Sequence, residues 1–194
     1  MKIPYVHDEF YHNPRAASHV LPILFELYKP ASVLDVGCGL GDWVFVAEKM
    51  GVSDIIGIDG AYVDRTLLKI KESQFVERDL TKPFELNRRF DMAICLEVAE
   101  HLPESSADDL VSSITKHTDV VLFSAAIPGQ TGQNHINEQW PDYWQKKFES
   151  QGFVMLDIIR SKIWNNAEVD CWYRQNAFII VKKGHALAEG KSTE

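Results

Sequence analysis

The stretch Val33-Leu34-Asp35-Val36-Gly37-Cys38-Gly39-Leu40-Gly41-Asp42 decides the fold. Val33, Leu34 and Val36 are strand formers. The alternate glycines after them permit a tight turn and let backbone lie directly against a ligand. A helix is predicted from Asp42 to Met50, ended by Gly51. The next strand, Asp54-Ile55-Ile56-Gly57-Ile58-Asp59, closes on an acid where the ribose diol of a bound nucleoside would fall. Strand, glycine turn, helix, strand and acid together describe a nucleoside-cofactor site.

Outward from this turn, the pattern keeps alternating. Before it, Ala17, Val20, Leu21, Leu24, Leu27 and Tyr28 form one apolar stripe that predicts a helix over Arg15 to Tyr28 despite Pro22, stopped by Lys29-Pro30. After it come a predicted helix around Tyr62–Lys71, a short strand Phe75–Arg78 and the apolar strand Phe90–Leu96. A helix over Ser106–Thr115, a strand Val120–Ser124, a polar loop through Asn137 and a helix Pro141–Ser150 follow. The apolar runs Val154–Ile159 and Ala177–Val181 finish the pattern. Such alternation implies an α/β fold with a mainly parallel sheet, helices on both faces and ligands at the carboxyl ends of the strands.

Composition narrows the class. Hydrophobic residues make up 45% and charged residues 25%, ordinary for one globular domain. A net charge of -8 argues against generic attraction to nucleic acid or anionic membrane. Cys38, Cys95 and Cys171 lack metal spacing and read as reduced thiols. No apolar run is long enough to cross a bilayer, and Met1-Lys2-Ile3-Pro4 lacks secretion-signal features, so a cytoplasmic protein is expected; the sequence leaves monomer and homodimer both open.

The glycine spacing separates two cofactor classes. A dinucleotide fingerprint reads G-x-G-x-x-G, whereas here Gly37, Gly39 and Gly41 alternate between Asp35 and Asp42. Two carboxylates beside the turn would repel a pyrophosphate and suit a cofactor bearing a positive charge and an amino group. This stretch resembles motif I of the class I S-adenosylmethionine-dependent methyltransferases. The resemblance continues through Asp59, through Asp79-Leu80 after the third strand, and through Leu96-Glu97-Val98-Ala99-Glu100-His101-Leu102-Pro103 after the fourth.

It implies a Rossmann-like, doubly wound, mainly parallel seven-stranded sheet. It also implies S-adenosyl-L-methionine as cofactor. Gly37, Gly39 and Gly41 would then lie at the methionine part, and Asp35 would orient its amino group. Asp59 and Gly60 would sit at the ribose and Asp79 and Leu80 at the adenine, with backbone near Cys95 and Leu96 completing the pocket. One domain over 1–184 is expected, with an N-terminal cap and helix in 1–30, a cofactor-binding half in 31–127, a substrate-side half in 128–183 and a flexible tail over 185–194.

On the acceptor side, Glu97, Glu100 and His101 fall at i, i+3 and i+4, and the loop after the fifth strand carries His135. This arrangement is similar to that of small-RNA 3′-end 2′-O-methyltransferases and some ubiquinone-pathway O-methyltransferases, where it holds a metal. It implies a divalent-cation site, such as one for Mg, formed by Glu97, Glu100, His101 and His135. Without a metal, Glu97 and Glu100 would support loops, and His101 or His135 would be the candidate general base.

The second half is rich in aromatic residues. Trp140, Trp144 and Phe148 recur every fourth residue, as on a helix face packed against the sheet. The connection from Trp164 to Asn176 mixes Trp164, Trp172 and Tyr173 with amides, acids and Arg174. Such a mixture suits a polyhydroxylated acceptor, and equally a packed cap or a dimer contact. At the other end, Tyr5 or Tyr11 is expected near the cofactor, with His7, His12 and His19 on the surface. The leading expectation is a methyltransferase that O-methylates a small polar acceptor such as a sugar or secondary metabolite. The alternatives are a metal-assisted RNA-terminal 2′-O-methyltransferase and a non-catalytic scaffold.

Overall fold

In a computed structural model that describes residues 13–189, the chain begins with α1 (Arg15–Leu27), which runs through Pro22 as expected. Then come β1 (Ser32–Val36), α2 (Asp42–Lys49), β2 (Asp54–Asp59), β3 (Phe75–Glu77) and β4 (Met92–Leu96). The second half consists of α3 (Ala107–His117), β5 (Val120–Ser124), α4 (Pro141–Ser150), β6 (Phe153–Leu156), α5 (Arg160–Ile163), α6 (Cys171–Asn176), β7 (Phe178–Lys182) and α7 (Ala186–Glu189). Tyr5, His7, Tyr11 and His12 lie outside the described residues, as does the polar end from 190 to 194.

The strands form one seven-stranded sheet in the order β3-β2-β1-β4-β5-β7-β6. β1 pairs parallel with β2 and β4, and β4 with β5, while β7 inserts antiparallel between β5 and β6. The parallel set places the ends of β1, β2, β4 and β5 on one edge. Chain order leaves β1 and reverses there, which makes the crevice beyond β1 and β4 the natural ligand site of such a sheet.

Side chains alternate across the sheet, as strand geometry requires. Val33, Ile55, Ile94 and Leu122 face one side, where Val20, Leu21 and Leu24 of α1 and Val44 and Ala47 of α2 cover them. Leu34, Ile58, Ala93 and Phe123 face the other, under Leu110 and Ile114 of α3 and Trp144 and Phe148 of α4. Leu21 and Leu24 are wholly buried, and each contributes about 2 kcal/mol by apolar area removed from water. Asp91 fastens the start of the central strands, accepting hydrogen bonds from the backbone N–H groups of Ala31 at 2.7 Å and Ser32 at 3.0 Å.

Three local expectations are corrected. The helix predicted over Tyr62–Lys71 does not form; only a tight turn at Arg65–Leu67 does. The Asp64 carboxylate accepts from both the backbone N–H and hydroxyl of Thr66, and the Lys69 N–H donates to the Leu40 carbonyl. Local side-chain bonds thus outcompete the helical ladder. Trp140 is not part of the packed helix face: it precedes α4 and is 56% exposed, while Trp144 and Phe148 are buried. Residues 186–189 of the expected tail form α7, with Leu187 and Ala188 packed on the core and His185 edge-on to Tyr28.

Candidate functional site

The glycine turn lies where β1 gives way to α2. Gly37, Gly39 and Gly41 all have positive φ (79°, 53° and 87°), the left-handed region that side chains disfavour. Gly37 and Cys38 donate backbone N–H bonds to the Ile58 carbonyl, tying the turn to the neighbouring strand. The Gly39 N–H donates to Asp59 Oδ2 at 2.7 Å, and the Gly60 N–H to Oδ1 at 2.6 Å. Asp59, only 3% exposed, is therefore clamped between the turn and its own strand end.

Asp35, the last residue but one of β1, lies beside it. Its carboxylate is 2% exposed, and no hydrogen bond among the described residues reaches Oδ2. Burial first, then the charges of Asp59 and Asp42, hold its carboxyl well above the usual range. Asp42 is not a second free carboxylate, because Lys69 pairs with it. Asp79 is half exposed and turned into a local bond with Thr81, whose hydroxyl and N–H lower its acidity range. Leu80, Cys95 and Leu96 are buried along the same edge.

After β4 the backbone takes an unusual step: Glu97 has φ 54°, in the left-handed region. Its N–H donates to the Ser124 carbonyl at 3.0 Å and reaches the Ser124 hydroxyl at 3.2 Å, which fixes this conformation. A single tight turn at Ala99–His101 follows. Helical spacing therefore does not hold from Glu97 onward, and its carboxylate turns aside to accept from Gln130 Nε2 at 2.8 Å. Glu100, His101 and His135 do converge, with one ligand atom from each lying within 4.8 Å of the others. The two imidazoles meet edge-on with centroids 4.9 Å apart.

The loop carrying His135 is fixed from below. The Ile136 and Asn137 N–H groups donate to the Glu100 carbonyl at 2.9 and 3.0 Å. Glu138 pairs with His135 Nδ1 at 2.9 Å and accepts from the Gly129 and Thr131 N–H groups. A carboxylate on Nδ1 leaves Nε2 to accept a proton or bind a cation. Burial and the neighbouring His135 push His101 down to about 4, so it is neutral at physiological pH. Glu100 is fully buried with neither carboxylate oxygen hydrogen-bonded among the described residues; burial and the Glu97 charge push it well above its usual range. One carboxylate and two imidazoles are a donor set that fits a divalent cation.

Sequence reasoning missed the residues that hold these groups. Gln130, Asn176 and Glu138 do so through side-chain bonds, and Asn176 Nδ2 donates to Gln130 Oε1 at 2.8 Å. Isolated polar residues in a loop give no spacing signal, and only the fold brings them together.

The aromatic connection is largely folded on itself. It follows directly on α5 and ends in α6, and Arg174 Nη1 donates to the Trp164 carbonyl at 3.1 Å. Arg15 of α1 pairs with Asp170 at 2.7 Å. Tyr173 and Trp172 are half-buried, with Tyr173 edge-on to Trp43 at 5.2 Å. Burial pushes the Tyr173 phenol up, and the Glu97 charge adds to this. Trp164 is 54% exposed, unlike the half-buried Trp172 and Tyr173.

Residues 6–157 match the family described as "Methyltransferase domain". Among curated proteins, the chain is 38% identical over 55 residues to a ribosomal RNA large subunit methyltransferase E from Caulobacter sp. (strain K31), covering 28% of the chain and 23% of that protein. It is 26% identical over 136 residues to a ribosomal protein L11 methyltransferase from Laribacter hongkongensis (strain HLHK9), covering 66% and 44%. The chain thus spans less than half the length of these curated relatives. Among solved structures, it superposes on the sugar N-methyltransferase KedS8 from Streptoalloteichus sp. ATCC 53650 with a TM-score of 0.70, at 16% identity over 93% of this chain and 94% of that one. Streptomyces venezuelae DesVI follows at 0.64, with 14% identity over 92% and 100%.

No helix among the described residues is long and apolar enough to cross a membrane. With the sheet order and the sequence match agreeing over most of its length, the chain belongs to the methyltransferase domain family, among the class I S-adenosylmethionine-dependent methyltransferases.

Proposed function

We propose that the protein transfers a methyl group from S-adenosylmethionine to a hydroxyl of a small polar acceptor, a sugar or a secondary metabolite. The cofactor's ribose diol would donate to Asp59, and its amino group would lie at the glycine turn against Asp35. Adenine would sit near Asp79 and Leu80, bounded by the backbone at Cys95 and Leu96. A positively charged ligand beside Asp35 would return that buried acid to its ionised form, which supports a cationic cofactor over a diphosphate.

When bound, the sulfonium supplies an activated methyl group. The protein's part is then to align the acceptor oxygen in line with it, exclude water and take up the hydroxyl proton. The observation that carries the acceptor reading is the neutral His101 imidazole set edge-on against His135 above Glu100. An imidazole nitrogen of His101 or His135 would receive the hydroxyl proton as the acceptor oxygen takes the methyl group. If a divalent cation is held by Glu100, His101 and His135, it would lower the acidity range of a coordinated hydroxyl. Trp172 and Tyr173 would form a wall for the acceptor. Structural relatives that include a sugar N-methyltransferase support a compact polar acceptor.

Calorimetry with S-adenosylmethionine and S-adenosylhomocysteine tests the first half of this reading. A screen of sugars and hydroxylated metabolites with methyl-labelled cofactor, run with and without chelator, tests the second. Binding of neither compound at millimolar concentration would favour a scaffold. Methylation confined to RNA 3′ ends and lost with chelator would establish the metal-assisted RNA reading instead.

A further inference from the structure

We propose that Tyr62 sets cofactor affinity, because its hydroxyl holds Asp59 and competes there with the ribose diol. This rests on Asp59 being the ribose-binding acid. The Tyr62 hydroxyl donates to Asp59 Oδ1, the oxygen that also accepts from the Gly60 N–H at 2.6 Å. Oδ2 accepts from the Gly39 N–H at 2.7 Å. Each carboxylate oxygen has two lone pairs, so the two bonds fill Oδ1 and the single bond leaves one position open on Oδ2. A diol that donates one hydroxyl to each oxygen must therefore take the Oδ1 position that Tyr62 occupies.

The surrounding geometry is built for that exchange. The Tyr62 ring lies against Gly60, where a β-carbon would fall 2.4 Å from Cε1 and 2.7 Å from Cδ1. Only glycine leaves the ring this position. The next residue, Val63, is 5% exposed and its N–H donates to the Gly60 carbonyl at 3.2 Å, so the loop backbone is anchored. Tyr62 itself is 53% exposed. Rotation of one side chain frees Oδ1, and the displaced hydroxyl exchanges its bond for water. Before ligand arrives, the same contact keeps the carboxylate in its rotamer and satisfied. The contact is thus both a positioning device and a competitor.

Tyr62→Phe removes the hydroxyl and keeps the ring. The expected result by calorimetry is S-adenosylhomocysteine and adenosine binding about three- to tenfold tighter, the range of a hydrogen bond to a charged group offset by solvent. 2′,3′-Dideoxyadenosine, which has no diol to exchange, should bind the variant and the parent protein equally. Unchanged or weaker S-adenosylhomocysteine binding, or equal tightening of all three ligands, would overturn the proposal. Asp59→Ala separates the two layers. Weakened binding there with Tyr62→Phe unchanged removes Tyr62 alone; unchanged binding in Asp59→Ala removes the ribose assignment and the proposal with it.

Discussion

Gly37 and Val98 are packed so closely that a β-carbon on the glycine would fall 2.3 Å from Val98 Cγ2 and 2.8 Å from Cγ1. The turn after β1 is thereby seated against the segment after β4, and the positive φ of Gly37 adds a second reason for glycine. Gly37→Ala should cost about 2–4 kcal/mol through overpacking and backbone strain together. Thermal unfolding measures the loss. The double variant Gly37→Ala/Val98→Ala should recover only part of it, because removing the methyl groups relieves the clash and leaves the dihedral penalty.

Glu100 gives a prediction whose sign follows from its environment. Its carboxyl is held above the ordinary range, mainly by burial and next by Glu97. A carboxyl raised on folding binds its proton more tightly in the native state. Its contribution to stability is full below the ordinary carboxylate range and is lost as pH rises toward the native value. Glu100→Gln should therefore be more stable than the parent at pH 8 in chelator, by about 1–3 kcal/mol, the cost of an unsatisfied buried polar group. The difference should shrink toward pH 4. Millimolar Mn or Mg should raise the melting temperature of the parent and leave the variant's unchanged; equal shifts in both would remove Glu100 from any cation site.

His101 tilts the pH dependence in the opposite direction. Its native pKa of about 4 lies below that of a free imidazole, with burial the leading cause. Between the ordinary histidine value of about 6.5 and the native one, the unfolded chain binds a proton that the folded protein refuses. Stability is thus complete above that window and falls through it on acidification, by about 3 kcal/mol at most for a shift of this size. His101→Gln should flatten the slope of unfolding free energy against pH between about 4 and 6.5. A slope identical to the parent's would mean that another group titrates there.

The sheet and its glycine turn were legible because their signals are local and periodic. Asp35 and Asp59 lie at the carboxyl ends of strands that announce themselves by apolar runs, Asp35 one residue before the end, and Gly37 to Gly41 stand between a strand and a helix. Glu97 was misread for the opposite reason. Its spacing to Glu100 and His101 is helical in the sequence, yet the Ser124 backbone and hydroxyl draw it into a left-handed conformation, and a loop residue captures its carboxylate. The helix expected over Tyr62–Lys71 failed to the same kind of non-local competition, with Leu40 taking the Lys69 N–H. Asp42 read as a bare charge because its partner Lys69 lies in that loop. No period in the sequence records a bond between a loop amide and an acid a sheet-width away.

Gln130 and Asn176 show what that missing information is worth. Asn176, 2% exposed at the end of α6, donates to Gln130, which donates to Glu97 Oε2. Both bonds run in one direction, so each amide polarises the next toward the carboxylate. Gln130→Leu leaves Glu97 Oε2 and the Asn176 amide unsatisfied and should cost about 2–4 kcal/mol of stability, measured by denaturant unfolding. Because their side-chain bonds run to Glu97 and to each other rather than to the glycine turn or Asp59, S-adenosylhomocysteine affinity should stay within about twofold of the parent, since independent sites combine nearly additively. Asn176→Leu should give a smaller loss, since only the outer bond breaks. A cofactor affinity that falls in step with stability would show that the acceptor loop and the glycine turn act as one unit.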